Sequence, residues 1–473
     1  MLDLTTGTGF SVERLRIQSV AFGGQGVARL ASGKVVFVRG GLPGDLVEAQ
    51  VGRGRRRHAE ARLLELVEPS SERVAARCGH QGVCGGCPLQ CLDYPAQLRE
   101  KENIVREAWR RIGGLEPAIV DPILPAPSLF HYRNKMEFGF SDLQWLERPA
   151  GPDEPEPDFG LGQHVPGIYS KVFDLLECHL QSDWTAPILA EIRRFVKEEG
   201  GGREAVWHLR EQAGYWRFVV IRESRATGER LVNLITTTGG DERMAQLAAR
   251  LLERFPGQVS GIVNTVQAGT GQVATGRLDR VLHGDGLLRE QLGGLTFELA
   301  PQAFFQTNTG QAERLFGLVG ERLGDDVGEL LDLYCGSGAI ALLMAGRARH
   351  VTGVELVPEA VESARRNARL NGLEGRVDFH CGDVLELLKA GRLPRPAAVV
   401  VDPPRGGLHP KVVAQLLELA PRRLVYVSCN PATQARDAAL LAAGGYQAER
   451  LSPVDMFPHT YHVEAVASFS RAG

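Results

Sequence analysis

Cysteines stand in this sequence at positions that suggest two different chemistries. Cys78, Cys84 and Cys87 follow a C-x5-C-x2-C pattern, a spacing close to those that hold cubane iron-sulfur clusters through thiolates. Such a cluster needs a fourth ligand. A structural zinc ion is the competing interpretation, because zinc also takes four soft ligands and could recruit His80 or Cys91. The pattern therefore predicts a metal centre and leaves two metals open.

Cys429 stands alone, at the point where an apolar run of residues ends. The run 424–428 is typical of a buried strand in a parallel sheet, and Asn430 and Pro431 interrupt it. Ligands bind at the carboxyl ends of such strands. An isolated cysteine is commonly a small buried apolar side chain, so its position alone leaves Cys429 as either a nucleophile or a filler of the core.

Acidic residues follow the predicted strands around a glycine-rich turn. The turn is D-L-Y-C-G-S-G at residues 332–338, and it lacks the G-x-G-x-x-G fingerprint of dinucleotide-binding proteins. Glu355, at the end of the next strand, can accept hydrogen bonds from two ribose hydroxyls. Together with Asp383 and Asp402, the turn indicates S-adenosylmethionine, whereas NAD would need a pyrophosphate-binding loop.

Three regions must position these residues, and together they predict an α/β protein. Residues 1–68 alternate short β-type runs with glycine-rich turns, as expected of a five-stranded OB-like barrel. Residues 69–300 give a mixed α+β signal that is mostly β. Residues 301–473 alternate strands with helices, which predicts a doubly wound, Rossmann-like parallel sheet.

Two segments of the central region have clearer patterns. A helix is predicted at about 96–113, with Ile104, Ala108 and Ile112 on one face, and it is a candidate to pack on the C-terminal region. The proline-rich acidic segment 147–160 predicts an exposed loop, to which we assign no function.

The composition is that of an ordinary soluble globular protein, with 43% hydrophobic and 23% charged residues among 473. The chain has no signal peptide pattern and no long uncharged apolar run, so we expect it in the cytoplasm and away from membranes. Its eight cysteines are then expected to be ligands, catalysts or fillers rather than disulfides.

The charge of the chain is unevenly distributed. The net charge is -3, yet residues 1–68 hold ten Lys or Arg against seven Asp or Glu. Arg53, Arg55, Arg56 and Arg57 form a basic tip on the predicted barrel. Contacts with a polyanion should therefore begin in this region, and the barrel context favours RNA.

Five motifs occur in the order found in the RNA uracil-5-methyltransferases, the family that makes 5-methyluridine in 23S ribosomal RNA and in tRNA. The motifs are FFQTN at 304–308, DLYCGSG at 332–338, VDPPRGG at 401–407, SCNP at 428–431 and HVEAVASF at 462–469. The resemblance covers nearly the whole chain. It implies that the barrel is the RNA-binding TRAM domain and that the C-terminal region is a methyltransferase domain.

The resemblance also implies which residues contact S-adenosylmethionine: Gln306, Tyr334, Gly336, Ala339, Glu355, Asp383 and Asp402. Ala339 stands where some relatives carry Asn. The contact of that Asn side chain with S-adenosylmethionine is therefore lost here or is made by the main chain of Ala339.

The resemblance further implies a covalent mechanism. Uracil C5 is a poor nucleophile, and addition of the Cys429 thiolate to C6 would create an enolate that can take the methyl group at C5. A general base must then remove the C5 hydrogen, and Glu464 resembles the base of the family. Asp402 is a candidate to hold the uracil edge, and Arg405 to stabilise the enolate or bind a phosphate.

By the same resemblance, Cys178 is the distant fourth ligand of a [4Fe-4S] cluster with Cys78, Cys84 and Cys87. Four protein ligands leave no open iron, unlike radical S-adenosylmethionine enzymes, whose pattern is C-x3-C-x2-C. The cluster and barrel favour 23S rRNA as substrate, with a uridine in a loop or bulge as the target because its ring face must be unstacked. We expect a monomer that does not bind DNA.

Three alternatives stay open. One keeps the chemistry and changes the substrate to tRNA. The second is an RNA-binding protein with an inert methyltransferase fold, which the presence of Cys429 and Glu464 disfavours. The third is an amino-group methyltransferase using the D-P-P sequence, but that class usually has an aromatic residue where Arg405 stands.

Overall fold

The computed structural model describes residues 10–52, 58–116, 120–146, 158–239 and 242–471. The predicted basic tip, Arg53 to Arg57, lies outside the described residues, and so do residues 147–157 of the acidic segment. The end of that segment departs from the prediction of an exposed loop. Phe159 is only 2% exposed and packs against Phe140, because the chain there enters a buried strand.

The N-terminal sheet contains six strands: β1 (Ser11–Arg16), β2 (Ser19–Val20), β3 (Gly26–Arg29), β4 (Val35–Arg39), β5 (Leu46–Val51) and β6 (His58–Glu68). Their order in the sheet is β1-β5-β6-β4-β3-β2. Alternate residues such as Val36 and Val38 fill its core, as the period of two in the sequence predicts. The sheet has one strand more than predicted, because Ser19–Val20 pairs separately with β3.

The described part of the central region contains three α-helices and a second sheet: α1 (Tyr94–Ala108), β7 (Lys135–Ser141), β8 (Gly160–Val165), β9 (Ile168–Asp174), α2 (Thr185–Glu198), β10 (Trp216–Glu223), β11 (Arg230–Thr236), α3 (Glu242–Arg254), β12 (Gly261–Val266) and β13 (Arg277–His283). The strand order is β13-β12-β11-β10-β7-β8-β9, and all neighbours except β11 and β12 are antiparallel. Apolar side chains of α2 and α3 pack on this sheet.

The C-terminal region begins with a hairpin and continues as alternating strands and helices: β14 (Leu288–Leu292), β15 (Leu295–Leu299), α4 (Thr309–Leu323), β16 (Glu329–Leu333), α5 (Ala339–Met344), β17 (His350–Glu355), α6 (Pro358–Leu370), β18 (Val377–Cys381), α7 (Val384–Lys389), β19 (Ala398–Val401), α8 (Pro410–Leu419), β20 (Arg423–Ser428), α9 (Pro431–Ala443), β21 (Tyr446–Val454) and β22 (Glu464–Arg471). Among the described residues, no helix is long and apolar enough to cross a bilayer.

The third sheet has the order β18-β17-β16-β19-β20-β22-β21. Its first five strands are parallel, as predicted, but β22 runs antiparallel to both neighbours. Successive residues of β19 enter different cores, with Val399 and Val401 on one face and Val400 on the other. Both faces are therefore covered, which explains why the strands read as continuous apolar runs.

Helix α1 packs on this C-terminal sheet, and Ile104 and Ala108 of the predicted face take part, but Ile112 does not. It ends in a π-helical turn, Trp109–Gly113, and the Trp109 ring stacks on Phe469 of β22 with centroids 6.3 Å apart. Ile112 is 50% exposed because the wider π turn breaks the helical period that would align it with Ile104 and Ala108.

Candidate active site and cysteine cluster

Cys429, Glu464 and Asp402 meet at one edge of the third sheet. Cys429 follows the last residue of β20, and Glu464 opens the adjacent antiparallel strand β22, in which Ala465 pairs with Ser428. Asp402 follows the end of β19, on the other side of β20. The strand register thus sets the predicted nucleophile opposite the predicted base.

The loops that carry these residues are tied together by Asp437 of α9. One of its carboxylate oxygens accepts hydrogen bonds from the N–H of Leu408 at 2.7 Å and from the hydroxyl of Tyr426 at 2.8 Å. Gly407 has φ of 73°, and a Cβ there would lie 2.6 Å from the same oxygen. Glycine is therefore required at this position of the VDPPRGG motif.

Arg405 is fixed through its main chain by the loop after β20. Its carbonyl accepts hydrogen bonds from Asn430 Nδ2 at 3.0 Å and Thr433 Oγ1 at 3.3 Å. Asn430 also caps helix α9 by accepting the N–H of Ala432. The Asn-Pro sequence that ends β20 thus starts a helix and joins two catalytic loops.

The three reactive groups share a buried environment that disfavours charge. Burial, with the nearby Glu464 and Asp402 carboxyls, raises the pKa of Cys429 to about 11. Burial and Asp402 raise the pKa of Glu464 to about 8, although Arg405 opposes the shift. Burial raises the pKa of Asp402 to about 7. Such perturbed groups in one pocket are typical of a site for proton transfer.

The glycine-rich turn after β16 leaves an open cradle beside Glu355. Tyr334 and Gly336 have φ of 67° and 54°, and a Cβ added to Gly336 would meet no described atom within 4 Å. The Glu355 carboxylate accepts N–H groups from Gly336 at 3.1 Å and Val357 at 2.9 Å. These contacts hold the acid at the strand end, where it can receive a ribose, so the turn fits a nucleoside ligand.

Gln306 belongs to a loop that lies against the same turn. Ser337 Oγ donates to the carbonyl of Phe304 at 3.3 Å, which joins the two loops. Asn134 Nδ2 donates at 2.9 Å to both the Gln306 carbonyl and Thr309 Oγ1. The central region therefore helps to position Gln306 beside the cradle.

The other predicted cofactor residues also border the turn. Asp383 caps α7 and, after burial, is the main group raising the pKa of Tyr334 to about 12. Ala339 is the first residue of α5 and directly follows the turn. Asp332 begins the DLYCGSG turn motif, and neither of its carboxylate oxygens has a hydrogen-bond partner among the described residues. Burial, and then the nearby Asp402 carboxyl, raise the pKa of Asp332 well above its usual value.

The four predicted metal-binding cysteines surround one cavity. Cys78, Cys84, Cys87 and Cys178 are free thiols that line a cavity of about 410 Å³. Burial and the neighbouring thiols raise the pKa of Cys84 to about 11 and that of Cys87 to about 12. Four convergent thiols of this kind fit a thiolate-bound metal centre, since a bound cation would replace their protons.

The structure fits zinc less well. A zinc tetrahedron with Zn–S bonds of about 2.3 Å places its sulfurs about 3.8 Å apart. Among the described residues, no three of the cysteine sulfurs lie within 4.8 Å of one another. His80 uses Nε2 to accept the N–H of Leu176 at 3.0 Å, and Cys91 packs in a separate apolar cluster. Neither of the two extra ligands considered for zinc completes a compact site.

Two buried residues of α9 that support the site escaped the sequence interpretation. Gln434 donates from Nε2 to the carbonyls of Tyr426 and Ala465, which joins β20 to β22 behind Cys429. Asp437 lies three residues further along the helix and is also fully buried. Their spacing from the apolar Ala438 and Leu441 places both on the buried face of α9, which is the signal that could have identified them.

Comparison with known proteins agrees with this arrangement. Residues 8–64 match the TRAM domain profile, residues 325–400 a methyltransferase domain profile, and residues 395–471 the tRNA (Uracil-5-)-methyltransferase profile. An RNA methyltransferase of Porphyromonas gingivalis is 39% identical over 97% of this chain and 99% of its own. One from Chlorobaculum tepidum is 40% identical over 94% of this chain and 93% of its own.

The chain belongs to the RNA uracil-5-methyltransferase family. A crystal structure of the tRNA (uracil-54, C5)-methyltransferase of Pyrococcus abyssi, in complex with S-adenosyl-L-homocysteine, superposes with a TM-score of 0.75. It is 29% identical and covers 97% of this chain and 100% of its own. The protein is thus an S-adenosylmethionine-dependent RNA methyltransferase that acts on uracil C5, and the predicted family is confirmed.

Proposed function

We propose that this methyltransferase modifies a uridine of 23S rRNA through a covalent adduct between Cys429 and uracil C6. The thiol first loses its proton to solvent, and the thiolate sulfur bonds to C6, so that the C5–C6 π electrons become an enolate. C5 then takes the methyl group, and S-adenosylhomocysteine leaves. Glu464 has a pKa of about 8, so a minority of the free enzyme holds it ionised near pH 7, and this form is the base. It removes the C5 proton, the C5–C6 double bond forms again, and the C6–S bond breaks.

The observation that carries this proposal is the register of β20 and β22, which sets Cys429 and Glu464 at the same strand edge. Burial raises the pKa of Cys429 to about 11, so the free site holds a thiol, and the proposal requires the thiolate to form when substrate is bound. Asp402 and Arg405 stand beside them, where an acid can hold the uracil edge and a cation can stabilise the enolate.

We assign the cradle at the glycine turn to S-adenosylmethionine. Glu355 would bind the ribose, and Gln306, Tyr334, Gly336, Ala339, Asp383 and Asp402 would complete the site. The open space at Gly336 supports this assignment because any side chain there would enter the cradle. When bound, the cofactor supplies the methyl group that C5 takes.

RNA containing 5-fluorouridine tests the mechanism. Addition and methyl transfer can proceed, but Glu464 cannot remove fluorine as it would a proton, so a protein–RNA adduct that survives denaturation should accumulate. Cys429→Ala should form no adduct, whereas Cys381→Ala is the control for an exposed thiol. Glu464→Gln should accumulate adduct even on ordinary uridine. Near-normal turnover by Cys429→Ala would refute the assignment.

A tRNA uridine is the second candidate substrate. It is favoured by the structural match with a tRNA (uracil-54, C5)-methyltransferase along the whole chain, barrel region included. Mass mapping of 5-methyluridine in rRNA and tRNA from a deletion strain distinguishes the two. Loss from 23S rRNA alone supports the first candidate, and loss from tRNA alone supports the second.

We also propose that Cys78, Cys84, Cys87 and Cys178 hold a [4Fe-4S] cluster. The four free thiols that line one cavity support a centre with four protein ligands. With all four positions filled by protein, the cluster would have a structural role. Anaerobically purified protein should be brown, with absorbance near about 400 nm and bound iron and sulfide. Cys84→Ser should lose iron and Cys91→Ser should keep it; a colourless protein with one zinc would contradict the proposal.

We further propose a division into a TRAM domain at 1–68, a central domain at 69–300 and a catalytic domain at 301–473. One refinement comes from the hairpin β14–β15, whose Leu288, Leu292 and Phe297 share a core with α4 and α5. We therefore group the hairpin with the catalytic domain. Light scattering after size exclusion tests our expectation of a monomer.

A further inference from the structure

We propose that Arg133 and Lys135 form a phosphate-binding subsite for the RNA backbone. The subsite is part of the same cavity that the four cysteines line, whose wall also includes Phe304, Phe305 and Thr307 from the loop that carries Gln306. This inference rests on the proposed function and deepens it, because it names a contact for a nucleotide next to the target uridine.

The local backbone directs both cations into the cavity. Lys135 is the first residue of β7, and Arg133 lies two residues before it, on the far side of a bend at Asn134. Asn134 is buried and anchored by donating its main-chain N–H to the Thr307 carbonyl at 2.8 Å and Nδ2 to the Gln306 carbonyl at 2.9 Å. Arg133 and Lys135 both line the cavity. The same three residues thus fix the cofactor loop and present two cations beside it.

Arg133 lacks an anionic partner among the described residues. Its guanidinium lies over the Phe457 ring at 5.8 Å, which orients it, and its buried Nε has no hydrogen-bond partner there. A buried donor without a partner is costly, and an incoming phosphate oxygen would satisfy it. Arginine is well suited to this role because its planar fork matches phosphate.

Lys135 has a partner that a phosphate can replace. Its Nζ lies 2.6 Å from a carboxylate oxygen of Glu137, whose side chain is 47% exposed. The Lys135 side chain is only 22% exposed, whereas the half-exposed Glu137 carboxylate can turn to solvent when a phosphate takes its place. The buried Arg222 lines the same cavity and adds positive charge to it.

The subsite is next to the reaction centre. Phe457, under the Arg133 guanidinium, belongs to the segment that leads into Glu464, and its ring contacts His462 at 6.2 Å. Arg133 and Arg405 both help to lower the pKa of His462, to about 4, after burial. Arg133 thus packs on the segment that carries the predicted base, which supports a phosphate site beside the uracil pocket.

The probe is a single-stranded oligoribonucleotide with one uridine, and the measurement is its affinity for cluster-containing enzyme as a function of salt. For single strands, each lost phosphate contact flattens the slope of log K against log salt by about 0.7. Arg133→Gln and Lys135→Gln should each show this change and raise KM for RNA about tenfold, with S-adenosylmethionine affinity unchanged. The control is Arg225→Gln, an exposed arginine outside the cavity lining.

Arg133→Lys keeps the charge and should recover most of the salt slope, which separates lost phosphate binding from misfolding. The inference is overturned if both glutamine variants keep the wild-type slope while the wild-type enzyme methylates uracil. The assignment of Arg133 to the phosphate subsite is also overturned if Arg133→Gln loses iron and keeps its RNA affinity. In that case the Arg133 guanidinium would neutralise the cysteine thiolates of the cluster. Failure of the wild-type enzyme to methylate uracil would instead refute the proposed function.

Discussion

The buried ion pair between Lys101 and Asp455 should control the stability of the segment that leads to Glu464. Both side chains are fully buried, and Lys101 Nζ donates to Asp455 Oδ1 and, at 2.9 Å, to the Phe457 carbonyl. Asp455 Oδ2 accepts from the Tyr94 hydroxyl at 2.8 Å. Lys101→Met would leave a buried carboxylate with one strong donor fewer and a buried carbonyl without its ammonium donor.

Removal of one partner of a buried pair costs about 3–5 kcal/mol, because the remaining charge is uncompensated. At roughly 2–4 °C per kcal/mol for a domain of this size, Lys101→Met should lower the apparent melting temperature by on the order of 10 °C. Lys101→Met with Asp455→Asn removes both charges. The double variant should therefore be more stable than the sum of the single losses by about 2 kcal/mol.

Differential scanning fluorimetry of wild type, both single variants and the double variant gives the required cycle. Arg110→Met is the matched control on the same polypeptide segment, since Arg110 and Glu107 form a pair with 54% and 44% exposed side chains. Such a surface pair should change stability by less than about 1 kcal/mol. If the stability losses of the two single variants add up to that of the double variant, the coupling between Lys101 and Asp455 is refuted. If Lys101→Met loses no more stability than Arg110→Met, the argument from burial is refuted.

Two other changes test the active-site environment. Glu464 has a pKa of about 8 in the folded enzyme and 4.5 in the unfolded chain, so the carboxylate must take up a proton when the protein folds near pH 7. This uptake lowers the free energy of unfolding by about 1.4 kcal/mol for each pH unit above 4.5. Glu464→Gln should therefore stabilise the protein by on the order of 3 kcal/mol near pH 7 and hardly at all near pH 4.5, as measured by urea unfolding. The same gain over wild type at both pH values would contradict the raised pKa of Glu464. Gly407→Ala should cost about 1–3 kcal/mol and lower kcat, because its Cβ would press on Asp437 in a left-handed backbone. Gly406→Ala, where a Cβ meets no described atom within 4 Å, should be nearly neutral, and a similar loss from both variants would sink this argument.

The fold of the C-terminal region could be predicted in large part because its strands are buried on both faces. Strands β19 and β20 are then nearly continuous apolar runs, and acidic residues mark the ends of β17 and β19, at Glu355 and Asp402. The antiparallel direction of β22 could not be predicted in this way, since a buried strand has the same apolar pattern in either direction. That direction nonetheless decides that Glu464, at the start of β22, lies opposite Cys429 at the end of β20.

Polar residues that are buried by distant partners mark the limit of sequence reasoning. The periodicity of α1 suggests Ile104, Ala108 and Ile112 as its packed face, yet the most buried positions include Gln97 and Lys101. Lys101 can be buried only because Asp455, 354 residues away in sequence, pairs with it. No local pattern contains that information, so the packing of Ile104 and Ala108 was predictable and the burial of Lys101 was not.

The segment from Met456 to His459 shows how the position of Glu464 depends on distant parts of the chain. The segment is outside any helix or strand, and buried carbonyls in such a segment must find donors elsewhere. Four successive carbonyls, from Met456 to His459, accept hydrogen bonds from Asn308 Nδ2, Lys101 Nζ, Tyr132 Oη and the N–H of Leu89. Leu89 lies two residues after Cys87, so the cysteine-bearing segment, α1, the start of the central sheet and the cofactor loop all hold the chain that leads to the base. A change in any of these elements can therefore reach Glu464 through main-chain geometry, without contact with RNA or cofactor.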